Sequence, residues 1–338
     1  GAARRFAGAR QDEGYVSMTR AAPSRVLALC GGVGGAKLAL GLQHHLGARL
    51  TVMVNTGDDF SHLGLFVSPD VDTVLFTLGG VADPARGWGR EGETWRFMEA
   101  LRQLGGEDWF QLGDLDLATH VERTRRLGLG EPLHSITADF ARRLGVAAQI
   151  APMSDDPVRT IVETPQGPLA FQRYFVGERC APAVRALRFE GAESARLLPS
   201  LATLLGGDDL AAVVICPSNP YLSIDPILAV PGVREALTRR RSPVVAVSPI
   251  IGGQAVKGPT AKIMGELGLS VTNATIAAHY AGLIDGLVID AADAAEAASL
   301  GVATHVAPTL MRTLADRASL ARACLDFAAS LAARGART

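Results

Sequence analysis

The stretch "RVLALCGGVGGAKLALGL" (residues 25–42) constrains the fold more than any other part of the chain. Five apolar residues in a row, Val26 to Cys30, make a run too short for a helix and too apolar for a surface strand. Such a run is a strand buried on both faces. It halts at Gly31-Gly32-Val33-Gly34-Gly35 and resumes as apolar positions at helical spacing over 36–46. A second apolar run, "LTVMVNT" (50–56), follows at once. Parallel strands need a crossover helix between them, so β-loop-α-β in so short a span opens a doubly wound sheet.

The same kind of run returns late in the chain. "AAVVIC" (211–216), "PVVAVSP" (243–249), "GLVID" (286–290) and the weaker "THVAP" (304–308) predict four further strands, with an Ala-rich closing helix over 309–334. The middle reads differently: helical patterns over 94–145, then "VRTIVET" and "LAFQRYFV" as an antiparallel hairpin around "PQGP". The expected fold is therefore α/β, a Rossmann-like parallel sheet with helices on both faces and an inserted helical and hairpin cap. The core is expected from 23–84 and 201–338, with the cap at 85–200. Residues 1–22, polar and basic with no apolar centre, read as a flexible arm or tag remnant.

Composition narrows the function. With 48% hydrophobic and 20% charged residues, the 338-residue chain can bury a sizeable core. A formal net charge of -1 gives no basic field for nucleic acid or an anionic membrane. No apolar run approaches the ~18–20 residues of a membrane span. Cys30, Cys180, Cys216 and Cys324 are scattered and form no CxxC pair, which fits a reduced, cytoplasmic protein without a zinc knuckle.

The glycines sit where backbone amides at a helix start bind anions, and glycine lets an oxygen approach the backbone closely. A tight turn that only packs helix on strand is the bland alternative. The spelling is not Walker A: Lys37 lies between Ala36 and Leu38, so no hydroxyl follows it to hold magnesium. A dinucleotide fingerprint lacks its third glycine, and the second strand ends in Asn55 rather than an acid.

"NTGDDFSHLGLFVSPDVDT" (55–73) places Asp58, Asp59, Asp70 and Asp72 just beyond the second strand. Carboxylates there suit Mg²⁺, or one of them accepts a proton from an attacking hydroxyl. Two adjacent acids repel unless a cation is shared, which favours Asp58 as functional; Asp70 or Asp72 equally suits a helix cap. "CPSNPYLSIDPIL" offers Ser218 and Asn219, and "VSPIIGGQAVKGPTAK" offers Gly252, Gly253 and Lys257. Each loop is weak evidence alone, but three at the ends of three apolar strands converge on one crevice.

Together, "GGVGGAKLALGL", "VNTGDDF", "GLFVSPDVDTVLFTLGG", "GWGREGETW", "LGDLDLATH", "CPSNPYLSIDPIL" and "SPIIGGQAVKGPTAKIM" closely resemble the 2-phospho-L-lactate transferase family. The resemblance runs from about Arg25 to the final helix. It implies transfer of a phospholactyl-type group from a guanosine diphospho-linked acid donor to the deazaflavin Fo (7,8-didemethyl-8-hydroxy-5-deazariboflavin). GMP is released, Mg²⁺ is required, and the product belongs to the biosynthesis of the coenzyme called factor 420. The donor acid is left open among phospholactate, phosphoenolpyruvate and 3-phosphoglycerate.

The resemblance further implies Asp58 as metal ligand and the residue that meets the incoming hydroxyl, supported by Asp59, with Asp72 as a second metal ligand. Gly31, Gly32, Val33, Gly34, Gly35, Ser218, Asn219, Gly252, Gly253 and Lys257 would hold the guanosine diphosphate. Arg90 and Trp95 are placed against the flat deazaflavin ring, with cap core as the alternative for Trp95. Asp114, Asp116 and His120 belong to the motifs without a derived role, His120 being expected as a helix residue packed under the cap. A homodimer is implied as well. The rival reading is a nucleotide-sugar-binding regulator of the gluconeogenesis-factor type; an NAD-dependent oxidoreductase is weakened by Asn55 and the missing glycine.

Overall fold

In the first strand, β1 (Arg25–Cys30), alternate residues serve two different cores. Leu27 and Leu29 pack into one, Val26, Ala28 and Cys30 into the other. That is the period-2 geometry of a strand covered on both faces, and it accounts for the unbroken apolar run. The computed structural model describes residues 24–256 and 258–335. The expected arm at 1–22 and the expected phosphate contact Lys257 lie outside the described residues.

The chain continues through α1 (Gly32–Leu46), β2 (Leu50–Val54), the small hairpin β3 (Phe60–His62) and β4 (Leu65–Val67), and α2 (Pro69–Leu78). Three helices follow, α3 (Arg96–Gln103), α4 (Asp114–Gly128) and α5 (Leu133–Arg143), then β5 (Gln149–Pro152). β6 (Arg159–Thr164) pairs antiparallel with both β7 (Gly167–Ala170) and β8 (Ala186–Glu190). The second half runs α6 (Pro199–Gly206), β9 (Leu210–Ile215), α7 (Asp225–Ala229), α8 (Val233–Arg239) and β10 (Val244–Val247). It closes with the hairpin β11 (Ile250–Ile251) and β12 (Gln254–Ala255), α9 (Thr260–Glu266), α10 (Asn273–His279), β13 (Gly286–Ile289), β14 (Ala303–Val306) and α11 (Leu314–Gly335).

Seven strands form one sheet in the order β14-β13-β10-β9-β1-β2-β5, and every neighbouring pair is parallel. The sheet is thus built from both ends of the chain, as expected. Sequence reading missed β5, which supplies the edge strand from within the block assigned to the cap. "QIAP" is only four residues long and carries Gln149, so it lacks the apolar run that exposed the others. The reading of "LAFQRYFV" as a full strand also fails: β7 ends at Ala170, and a helical turn over Arg173–Gly177 follows.

α1, α2 and α11 cover one face of the sheet; α6 to α10 cover the other. α1 and α11 approach so closely that a Cβ on Gly41 would lie 2.1 Å from the Arg317 carbonyl oxygen. The chain leaves β1 toward β2 on one side and later lays β9 on the other. This reversal opens a crevice at the strands' C-terminal ends, between the loops after Cys30 and Ile215. Among the described residues no helix is long and apolar enough to cross a membrane.

Candidate functional site

A cavity of about 630 Å³ occupies that crevice. Gly31, Gly32, Val33 and Gly34 form part of its floor, and Pro217, Ser218 and Asn219 stand beside them. The glycines prove to be the first turn of α1 rather than a loop before it. First-turn amides have no acceptor within their own helix, so this turn can receive an anion. The contacts also explain why only glycine fits. A Cβ on Gly34 would lie 2.7 Å from the Pro217 carbonyl oxygen, and one on Gly35 would lie 2.3 Å from Ser218 Oγ. Gly35 itself does not line the cavity; it lets α1 seat against the Ser218 loop.

Ser218 locks the two loops together. Its Oγ accepts from the Gly31 N–H at 3.0 Å and donates to the Gly31 carbonyl at 2.7 Å. Asn219 accepts from the Tyr221 and Leu222 amides through Oδ1 and donates to Thr260 Oγ1 at 3.0 Å. The expected pair Gly252 and Gly253 makes the tight turn between β11 and β12, both at positive φ, and stays off the cavity wall. Ile251, Val256 and Thr260 of that segment line it instead.

The acids separate into two groups. Asp58 and Asp70 are both buried and both line the cavity, with Asn55 between them. The Asn55 amide nitrogen donates to Asp70 Oδ2 at 2.9 Å and reaches Asp58 Oδ1 at 3.4 Å, while its Oδ1 accepts from the Gly57 N–H at 2.7 Å. An acid in place of Asn55 would set a third carboxylate against these two, so the residue that argues against a dinucleotide site is required by this one. Burial, then the charges of Asp70 and Asp59, push Asp58 well above the usual carboxylate range. Burial pushes Asp70 up to about 6 against the hydrogen bonds that lower it.

Asp70 does not cap its own helix. It reaches across to the glycine turn and accepts from the Gly32 N–H at 2.6 Å. Asp59 turns away from the cavity and accepts from Ser68 Oγ at 2.6 Å, with burial raising it to about 8. Asp72 lines the cavity but is gripped by both terminal nitrogens of the buried Arg123. Of the expected metal pair, Asp58 has no arginine partner among the described residues, whereas Asp72 is paired with Arg123; the acid that stands beside Asp58, across Asn55, is Asp70.

The far wall is aromatic, with Phe76, Phe110, Phe171, Phe175 and Trp88. Arg90 is not on it. Its guanidinium packs over Phe76 and lines a small separate recess. Arg86, unremarked in the sequence, takes the place expected of Arg90. It lines the main cavity between Trp88 and Trp95, its guanidinium carbon 5.4 and 5.0 Å from the two ring centres. Trp95 belongs to the support behind Arg86 rather than to the wall. The loop Thr309–Arg312, also missed, closes the side near Lys37, whose ammonium donates to the Met311 carbonyl at 3.2 Å. His120 lies under the cap and also faces the cavity.

Comparison with known proteins points the same way. The family model described as 2-phospho-L-lactate transferase CofD matches residues 26–310. A Streptomyces griseus protein named phosphoenolpyruvate transferase is 41% identical over 314 residues, covering 90% of this chain and 98% of that one. A Kitasatospora aureofaciens protein of the same name is 40% identical over 317 residues, with the same coverage. Among solved structures, a UPF0052 family member from Bacillus halodurans aligns with a TM-score of 0.59 at 16% identity, covering 90% of this chain and 99% of that one. That likeness speaks for the fold alone.

Proposed function

Because the chain belongs to the 2-phospho-L-lactate transferase family, and so is a transferase, we propose that it transfers an enolpyruvyl phosphate group from a guanosine diphospho-linked donor to the terminal ribityl hydroxyl of Fo. GMP leaves, and the reaction belongs to the biosynthesis of the coenzyme factor 420. The observation that carries this reading is a single cavity with an anion-receiving helix start at one end, an aromatic wall at the other and two buried carboxylates between. The relatives named phosphoenolpyruvate transferase favour the enolpyruvyl donor over its phospholactate and phosphoglycerate counterparts.

In the reaction the hydroxyl oxygen bonds to the distal phosphorus of the donor, and the bond from that phosphorus to the GMP oxygen breaks. The protein's work is then positioning and charge stabilisation. The turn at Gly31–Gly34 receives the diphosphate through its Val33 and Gly34 amides, those of Gly31 and Gly32 already donating to Ser218 and Asp70, with Gly35, Ser218 and Asn219 holding the loops in register. The residues fit a divalent ion at Asp58 and Asp70. Both are buried and raised, and the Asp58 oxygens have only long contacts, 3.4 Å each, to Asn55 and Gln172. Mg²⁺ bound there would neutralise the phosphate oxygens as charge moves to the leaving group. Asp58, closest in chemistry to a free base, meets the incoming hydroxyl and accepts its proton. Asp59 holds the turn through Ser68. The core of 23–84 and 201–338 carries the donor end and the 85–200 block the acceptor end; the reading includes a cytoplasmic homodimer.

The test is a coupled assay read by mass. Protein, Fo and Mg²⁺ are incubated with GTP, a guanylyltransferase and each of the three phospho-acids in turn. A deazaflavin product is expected in the phosphoenolpyruvate tube. Asp58→Asn should abolish it while leaving the circular dichroism spectrum unchanged. Folded protein that gives no product from any of the three guanylylated donors rejects the reading in favour of the nucleotide-sugar-binding regulator.

A further inference from the structure

Asp70 occupies a donor that the anion site would otherwise offer. It is the second residue of α2, and its Oδ1 accepts from the Gly32 N–H at 2.6 Å. Gly32 opens α1, the helix whose first turn faces the cavity, and both residues line that cavity. The carboxylate is closely seated there. A Cβ on Gly31 would lie 2.4 Å from Asp70 Oδ2 and 2.6 Å from Ser223 Cβ, so glycine at 31 makes room for the acid. The two oxygens are held from opposite sides: Oδ2 accepts from the Asn55 amide at 2.9 Å, Oδ1 from Gly32. Oδ1 can therefore leave Gly32 while Asn55 keeps the side chain anchored.

We propose that Asp70 stands in for a phosphate oxygen on the Gly32 amide and so makes binding of the nucleoside diphosphate conditional on a divalent ion. The inference rests on the guanosine diphosphate reading above and adds how that site is regulated. The Gly32 amide has one hydrogen to give, and a phosphate oxygen competing for it also meets the carboxylate's charge. When an ion is held at Asp58 and Asp70, that charge is taken up and Oδ1 turns from Gly32 to the ion. Gly32 then joins Val33 and Gly34 in meeting the diphosphate. Mg²⁺ is commonly held by one or two carboxylates together with phosphate oxygens, so ion and diphosphate favour the same position of Asp70. By linkage each tightens the binding of the other. If Asp70 only braced the glycine turn, removing its side chain would loosen the turn and weaken GDP with or without the ion.

Calorimetry with GDP, in EDTA and in Mg²⁺, on the full chain of wild type, Asp70→Ala and Asp70→Asn separates the two. In EDTA both variants should bind GDP about fivefold or more tightly than wild type. Mg²⁺ should tighten GDP in wild type and add little in either variant. Folded variants whose affinity in EDTA is unchanged or weaker overturn the proposal. Should neither variant fold, the Gly32 amide resonance of ¹⁵N-glycine-labelled wild type decides. It should move upfield on addition of Mg²⁺, as the carboxylate leaves; a resonance that stays in place or moves downfield overturns the proposal. Wild type that binds GDP under neither condition rejects the nucleotide reading itself, and this proposal with it.

Discussion

Glu93 and Asp114 cap each other's helices. Glu93, just ahead of α3, accepts from the Leu115 and Asp116 amides at the start of α4, at 2.7 and 2.8 Å. Asp114, the first residue of α4, accepts from the Phe97 and Arg96 amides at the start of α3, at 3.1 and 3.3 Å. Each carboxylate thus meets orphan donors and the positive end of the neighbouring helix dipole. The motifs "GETW" and "GDLD" are two halves of one clasp, and the clasp presents Asp116 and His120 to the cavity. Replacing either acid with Ala should cost about 1 kcal/mol, within the range for lost caps. Because each α3 and α4 start depends on the other, the double variant should fall short of the sum. Urea unfolding of the two single variants and the double variant measures this; strict additivity would show that the clasp is not cooperative.

The glycine turn makes a sharper prediction. Gly34→Ala drives a methyl group to 2.7 Å from a backbone carbonyl, and Gly35→Ala drives one to 2.3 Å from Ser218 Oγ. Overpacking of this kind costs about 1–3 kcal/mol, and at Gly34 it also narrows the anion site. Both variants should lose stability, and Gly34→Ala should lose at least tenfold in affinity for GDP by calorimetry. Gly265→Ala is the control: it lies in α9 with ordinary φ and open space, so it should leave stability unchanged or raise it by up to about 1 kcal/mol.

What could be read from the sequence followed from how local its cause was. The apolar runs of β1, β2, β9, β10 and β13 announce themselves because burial on both faces needs no partner to be recognised. β5 escaped because its burial comes from lying beside β2, not from its own residues. At the site, the glycine turn, Asp58 and Ser218 were legible as residue types at strand ends. Arg86 was not, since its place follows from stacking between Trp88 and Trp95 across a turn. The pairing of Asp72 with Arg123 was likewise invisible, because the two lie 51 positions apart.

Arg86 and Arg90 can be told apart by kinetics. Arg86 faces the cavity between two indoles and is paired to Asp83 at 2.8 Å, whereas Arg90 packs over Phe76 outside it. Arg86→Ala should lower kcat/KM for transfer by about tenfold or more, or about 1.4 kcal/mol. Arg90→Ala should change it by less than about threefold once measured below the unfolding temperature of both variants. The reverse ranking would return the ligand-facing role to Arg90.

The buried acids set a pH dependence with a definite sign. Asp59 titrates at about 8 in the fold because burial disfavours its charge, against about 3.9 in an unfolded chain. Between those values the folded chain keeps a proton that the unfolded chain has released, so this group makes stability fall as pH rises from about 4 to about 8. Above about 8 its contribution is flat. The largest slope one such group can give is about 1.4 kcal/mol per pH unit. His62 works the other way: burial lowers it, so its contribution rises with pH up to its unfolded value near 6.5. The wild-type curve mixes these opposing groups, and the difference from Asp59→Asn isolates one of them. The amide keeps an acceptor for Ser68 Oγ but has no proton to lose. In metal-free protein, Asp59→Asn should gain stability over wild type progressively from pH 5 to pH 8 in urea unfolding. A difference that stays constant across that range would mean that Asp59 is already ionised in the fold at pH 5.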